Sequence, residues 1–334
     1  MDINAAERII SVVDAFKDKK IAVVGDLMLD AYTWGKVNRI SPEAPVPVVQ
    51  VTRRSCCLGG AANVIRNIVS LGATSAAFGV VGNDAHGEKL RALLAESGIG
   101  STGVLTDPTR PTTLTERIIA GSQQLLRLDD EQQTTVTERI REQLVSEFAC
   151  YLKNEHPDAV IIEDYAKGLF SPGYAQRIVD LCVAENIPVT LDPNPRNPLY
   201  LKNLTIMKPN RAEAFEIAGV PLPVTRMPME TLRLVAEKIR KEWQVKYLLI
   251  SLAEDGMALF LADGSCDLIP TRAKEVFDVS GAGDTVIAAS TLALCVKDDP
   301  VLAAEIANYA AGVVVGKLGT AACSAEELKN SLKH

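Results

Sequence analysis

The sequence predicts an α/β fold: a mostly parallel central sheet with helices on both faces, plus a small β lid. Three observations carry this. Short β-rich apolar runs recur along the chain, and helical patterns follow several of them. These runs are almost unbroken in apolar residues, as strands covered on both faces are. Two segments interrupt the alternation with proline-spaced or hairpin-like strands. The chain is read as one domain, 1–334, because open α/β sheets often reach this length.

The elements follow in order. The N-terminus mixes charges with apolar residues at helical spacing. "IAVVGDLMLD" (Ile21–Asp30) reads as one buried strand leading to polar residues. "AANVIRNIVSLGA" places Ala62, Ile65, Val69 and Gly72 on one helical face. "SAAFGVVG" is a strand, and "DAHGEKLRALLAESGI" a helix capped by Asp84. Strand "DAVIIEDY", helix "PGYAQRIVDLCVAEN" and strands "IPVTLD" and "LTIMKPN" come next. Helix "RAEAFEIAG", a longer helix through Trp243 and strand "KYLLIS" precede helices around Val286–Val296 and Leu302–Val315. The lid is assigned to approximately 31–52 and 111–129. Prolines at 42, 45 and 47 suit an edge strand in the first segment. In the second, "AGSQQ" joins two strands as a hairpin. An ordinary edge hairpin is the plainer alternative to a lid.

Composition narrows the function. Hydrophobic residues make up 47%, enough for a large core, and the formal net charge is -7. That balance argues against nucleic acid as a partner, which needs clustered Lys and Arg. No uncharged apolar stretch reaches the ~18 residues of a membrane span, and the N-terminus lacks the pattern of a signal peptide. A soluble, cytoplasmic protein with no membrane partner is expected. The seven cysteines contain no C-x-x-C and the three histidines are far apart, so zinc is not expected.

Three segments carry chemistry. In "DVSGAGD" a strand is expected to end near Phe277 and a helix to start near Ala282. Gly281 and Gly283 let successive N–H groups point at an anion, helped by the helix dipole. Asp284 closes the loop, and its plain reading is a helix N-terminal acid. In "CLGGAANVIRN", Gly59 and Gly60 allow close approach to a ligand, with Asn63 in the first helical turn. Asp164, Lys167, Asp192, Asn210 and Glu213 lie at carboxyl ends of strands, where open α/β sheets bind ligands. Taken singly, these are turn or cap residues, and Asn210 with Glu213 fits a capping box.

"GGAANVIRNIVSLGA", "NRAE" and "DVSGAGDTVIA", in this order, closely resemble the ribokinase (PfkB) family of sugar kinases over about Ile21 to Thr320. "GDLMLDAYTWGKVNRISPEAPVPVVQV", "QQLLRLD", "DYAKG" and "AAGVVVGKLGT" look closer still to its D-glycero-β-D-manno-heptose 7-phosphate kinases. That branch belongs to the ADP-heptose pathway supplying the lipopolysaccharide inner core. Many relatives add an adenylyltransferase domain with an H-x-G-H motif. None occurs here, so a stand-alone kinase is expected.

The resemblance implies a ribokinase-like fold and ATP-dependent phosphorylation of the sugar's anomeric hydroxyl. It implies Asp284 as catalytic base, with Gly281, Ala282 and Gly283 as its catalytic loop and the N–H groups around Ala282, Gly283 and Asp284 holding the phosphoryl charge. It implies that Asp30, Gly59, Gly60, Asn63, Arg117 and Asp164 bind the sugar. Arg117 and Lys167 are the cations for its phosphate, with Arg39 a further candidate from the lid. Asn210, Glu213, Ser251, Gly256 and Asn308 would serve ATP, with Glu213 holding Mg²⁺ through water. Some relatives also bind a monovalent cation near the position of Asp278. ATP and a sugar phosphate are the expected partners, and a homodimer through the lid the expected assembly. Another sugar or nucleoside kinase of the family is the alternative, and a non-catalytic binding protein a weaker one. Two residues depart from the branch pattern, Glu163 for a small polar residue and Asn194 for lysine, and neither is expected to touch the base or the anion hole.

Overall fold

The computed structural model describes residues 3–121, 123–223, 228–273 and 275–333. Ser122, within the predicted hairpin connection, lies outside them. Among the described residues the helices are α1 (Ile3–Asp14), α2 (Ala61–Ser70), α3 (Ala85–Glu96), α4 (Glu138–Glu155) and α5 (Pro172–Ala184). They continue as α6 (Arg211–Ile217), α7 (Met229–Glu242), α8 (Ala282–Val296), α9 (Pro300–Val315) and α10 (Ala325–Ser331). The main sheet contains β1 (Lys20–Gly25), β4 (Thr74–Gly82), β5 (Val104–Asp107), β8 (Ala159–Glu163), β9 (Val189–Asp192), β10 (Leu204–Met207), β11 (Val245–Ser251), β12 (Met257–Phe260) and β13 (Cys266–Ile269). The second sheet contains β2 (Leu27–Ile40), β3 (Pro47–Gly60), β6 (Thr113–Ala120) and β7 (Gln123–Asp130).

The main sheet runs β13-β12-β11-β10-β9-β8-β1-β4-β5, parallel except for the antiparallel β12 and β13. Alternation along β1 explains its two covered faces: Ile21 and Val23 join one core, Ala22 and Val24 the other. Residues from α1, α2, α8 and α9 pack on the first face, those from α4, α5 and α7 on the second. Helix α8 is buried over most of its length, which its apolar run after Asp284 demands. The chain leaves β1 toward β4 on one side, and β8 lies on the other. The strand order therefore switches at β1, the place where ligands bind in such sheets.

The second sheet runs β3-β2-β6-β7, so the proline-preceded β3 is an edge strand, as its prolines predict. The β6–β7 hairpin is also as expected. Three expectations fail. "IAVVGDLMLD" is two strands in different sheets, broken at Asp26, because that carboxylate accepts the Tyr165 and Lys167 N–H groups and turns the chain. Among the described residues no strand ends near Phe277; the Phe277 and Asp278 N–H groups bond to the Val315 carbonyl at the end of α9 instead. Gly72 lies beyond α2, which ends at Ser70. Helices α4 and α10 and strands β5, β12 and β13 carried too weak a pattern to be anticipated.

Candidate active site

The site is built where β1, β8 and β9 end level with one another: Gly25 pairs with Glu163, and Glu163 with Asp192. Helix α8 points its N-terminus at this edge. Its cap, Gly281, has φ 77, a left-handed conformation that glycine adopts without strain. The first intrahelical bond runs from Thr285 N to the Gly281 carbonyl (3.1 Å), so the Gly283 and Asp284 N–H groups precede it. Ala282 N–H is engaged by the Val279 carbonyl at 3.3 Å.

Asp284 is buried, with 6% exposure. One oxygen accepts from Asn63 Nδ2 (2.5 Å) and the other from Tyr165 Oη (2.9 Å). Asn67 bonds the Asn63 carbonyl and accepts from Thr285 Oγ1 (2.7 Å), locking the first turns of α2 and α8 together. Burial raises the Asp284 pKa, while Asn63, Lys208 and Tyr165 draw it down. A carboxylate offers about four lone-pair sites, so two bonds leave room for a hydroxyl.

Lys208, just past β10, supplies the positive charge. Its Nζ is 2.6 Å from Asp192 Oδ2, and a Cβ on Gly283 would stand 2.8 Å from it. Glycine is thus what lets this ammonium lie against the α8 loop. Burial works against the Lys208 charge, but the carboxylates of Asp192 and Glu213 raise its pKa, so it stays charged. Oxygens of Glu163, Asp192 and Asp284 all lie within 4.8 Å of one another. Glu163 therefore lies within electrostatic reach of Asp284, a proximity the sequence did not indicate. Parallel register decides this: β8 and β9 end together under α8. Asn194 instead caps its own turn through Arg196 N.

On the second-sheet side, Asp30 pairs with Arg117 at 2.5 Å. Gly59 and Gly60 close β3, opposite Met28 and Leu27. Tyr32 Oη bonds Thr320 Oγ1 (2.7 Å) and accepts from Thr320 N (3.0 Å), joining this sheet to the segment after α9. Lys167 is paired with Glu131. Asp164 accepts from Ala166 N (2.8 Å) and Asn197 Nδ2 (2.9 Å), the bonds of a turn residue. Burial, with Asp26 nearby, pushes its pKa up to about 7. Arg39 is exposed nine residues beyond Asp30 on β2, about 30 Å along an extended strand. The fold does not bring it to this cluster.

Asn210 and Glu213 form the reciprocal capping box of α6: Asn210 N donates to Glu213 (2.8 Å) and Glu213 N to Asn210 (3.0 Å). Asn210 also bridges to Ser251. Gly256 and Asn308 converge on one segment. Gly256 lies against the Ile269 carbonyl and Thr271 N, and Asn308 Nδ2 bonds the Pro270 carbonyl at 2.6 Å. Asp278 accepts from Ser280 N and Gly319 N, and these N–H groups lower its pKa despite burial. Lys208, Tyr165, Tyr32 and Thr320 were missed in the sequence. Lys208 had a signal, standing two residues before Asn210 at a strand's carboxyl end. The other three had none.

No helix among the described residues is long and apolar enough to cross a membrane. The model of the pfkB family of carbohydrate kinases matches residues 18–327. A "Bifunctional protein HldE" from Campylobacter curvus is 40% identical over 317 residues, covering 95% of this chain and 66% of that protein. Its namesake from Magnetococcus marinus is 42% identical over 319 residues, covering 95% and 65%. The chain thus spans just under two thirds of the length of these curated relatives. Among solved structures, Arabidopsis thaliana ribokinase complexed with ribose and ATP is 20% identical with TM-score 0.71, covering 95% of this chain and 99% of that one. Escherichia coli phosphofructokinase-2 with substrates and products is 20% identical with TM-score 0.74, covering 94% and 98%. These two likenesses show the ribokinase-like fold. The family match decides against a non-catalytic binding protein: the chain belongs to the pfkB family and is an ATP-dependent carbohydrate kinase.

Proposed function

We propose that this kinase transfers the γ-phosphoryl group of ATP to the anomeric hydroxyl of D-glycero-β-D-manno-heptose 7-phosphate, giving the 1,7-bisphosphate. Its place is then in ADP-heptose and lipopolysaccharide inner-core synthesis in the cytoplasm. The carrying observation is Asp284: a buried carboxylate clamped by Asn63 and Tyr165 at a helix start where the Gly283 and Asp284 N–H groups precede the first intrahelical bond. The side chain accepts the hydroxyl proton while these N–H groups and Lys208 meet the charge growing on the phosphoryl oxygens. Clamping from two sides holds the carboxylate in the sugar's path, the positioning on which phosphoryl transfer depends.

The sugar lies against Asp30, Asn63 and the end of β3 at Gly59 and Gly60, with Arg117 and Asp164 flanking it. ATP lies along Asn210, Ser251, Gly256 and Asn308. Glu213 fits Mg²⁺ through water: it is an oxygen donor at the same strand edge, and its charge is felt by Lys208 and Asp192. Bound there, Mg²⁺ would supply positive charge against that of the nucleotide phosphates. A monovalent cation near Asp278 belongs to the same proposal. Residues 1–334 act as one unit, with β2, β3, β6 and β7 as the lid, and two chains pair through it.

The heptose acceptor is supported by the branch-specific lid segments and by the 40% relative. One observation favours the second reading, another sugar or nucleoside kinase of the family. Arg117 and Lys167, the cations meant for a sugar phosphate, are both already paired with carboxylates. ADP release across a panel of sugars and sugar phosphates separates the two. The highest kcat/KM is expected for the heptose 7-phosphate; a higher value for ribose or fructose 6-phosphate would establish the second reading.

A further inference from the structure

Glu163 ends β8 with 1% exposure, and its Oε2 is buried without a hydrogen-bond partner. It faces Asp192 from β9, Lys208 after β10, Asp284 from α8, Glu213 from α6 and Tyr165 from its own strand's exit. Fully ionised, Glu163, Asp192 and Asp284 would place three negative charges within a few ångströms of one ammonium. An unpaired carboxylate away from water is the costliest member of such a set, and a neutral carboxylic acid costs far less. Lys208 is already committed to Asp192, so the remaining imbalance falls on Glu163.

We propose that Glu163 is a positioning residue that works as a neutral carboxylic acid. Its proton removes one of the three negative charges around Lys208, leaving Asp284 ionised as the base and Lys208 able to meet the transferring phosphoryl group. No bond to substrate is required of Glu163. The direction of its titration agrees: burial, Asp192 and Asp284 all raise its pKa well above the ordinary glutamate value. The acid form is present below the raised pKa and is lost as pH rises through it. Ionisation then repels the incoming phosphates, so turnover acquires an alkaline limb that belongs to Glu163.

The consequences for turnover rest on the kinase reading, but the proton can be observed without substrate. In infrared difference spectra at pH 8, wild type minus Glu163→Gln is expected to show the carbonyl stretch of a protonated carboxyl group, shifting in D₂O. In kcat/KM for ATP, the alkaline fall of the wild type is expected to disappear in Glu163→Gln, whose amide is neutral at every pH. Absence of the infrared band would overturn the proposal. So would an unmoved alkaline limb, or a loss of a hundredfold or more at every pH, which would make the ionised carboxylate essential. Stoichiometric Mn²⁺ binding by the nucleotide-free wild type and not by the variant would also overturn it, with a metal taking the proton's place. If Asp284→Asn retained its turnover, the base role would fall while the infrared result stood.

Discussion

At the scale of single residues, Asp284 and Asp164 show how similar carboxylates are put to different work. Asp284 is held by two side chains from other elements, and Asp164 by its own turn and Asn197. Asp284→Asn keeps the shape and removes the proposed base. It should lower kcat by about 10²–10⁴-fold while ATP and sugar still bind in calorimetry. More than about a tenth of wild-type kcat would remove the base role. Asp164 should instead appear in stability. Its folded pKa is about 7 and its unfolded value is near that of an ordinary aspartate, about 4. Stability from the protonated form is therefore full below about pH 4 and lost as pH rises to about 7. Asp164→Asn should gain stability over wild type across that window, on the order of 2–4 kcal/mol at its end, in urea unfolding. A constant difference across it would mean that the carboxyl is ionised throughout.

At the scale of elements, two junctions set the site. The first is the start of α8, where Gly281 has φ 77 and a Cβ would stand 2.8 Å from Asn63 Nδ2. Gly281→Ala should cost about 1–2 kcal/mol in backbone strain alone, and displacing Asn63 should cut kcat by tenfold or more. Unchanged kinetics with unchanged melting would show that the loop absorbs the methyl group. The second junction is Tyr32 with Thr320, which ties the small sheet to the segment after α9. Tyr32→Phe removes both bonds at about 1 kcal/mol each, so sugar KM should rise roughly five- to thirtyfold with kcat little changed. A fall in kcat at constant KM would instead tie this link to the chemical step.

At the scale of the whole molecule, the small sheet stands open. Its edge strands are β3 and β7, and Val37, Val51, Leu126 and Leu128 are exposed on it. Unpaired edges with apolar side chains favour pairing with another chain. Light scattering should therefore give twice the 35.9 kDa chain mass, and Leu126→Lys with Leu128→Lys should shift it toward the monomer. A monomeric wild type at assay concentrations would sink the proposed dimer.

By itself the sequence determined the α/β class, the edge character of β3, the β6–β7 hairpin and the starts of α2, α3, α6 and α8. Each rests on local physics: apolar periodicity, proline's missing donor, and caps such as Asp84 and Asn210. Residues proposed for the site were legible too, since Asp284, Asn63 and Glu213 each stand within a short motif. What only the tertiary structure decided is which charges meet. Parallel register brings Glu163 level with Asp192, and α8 sets Asp284 over both. Asn63 and Asp284 touch across 221 residues, and Tyr32 and Thr320 across 288. Lys208 became a site residue because Gly283 left room for it. Arg39, apt in sequence, was carried out along an extended strand. Local preference acts over a turn or two of chain, whereas the field at a buried carboxylate depends on every charge within a few ångströms, and those charges come from strands far apart in sequence.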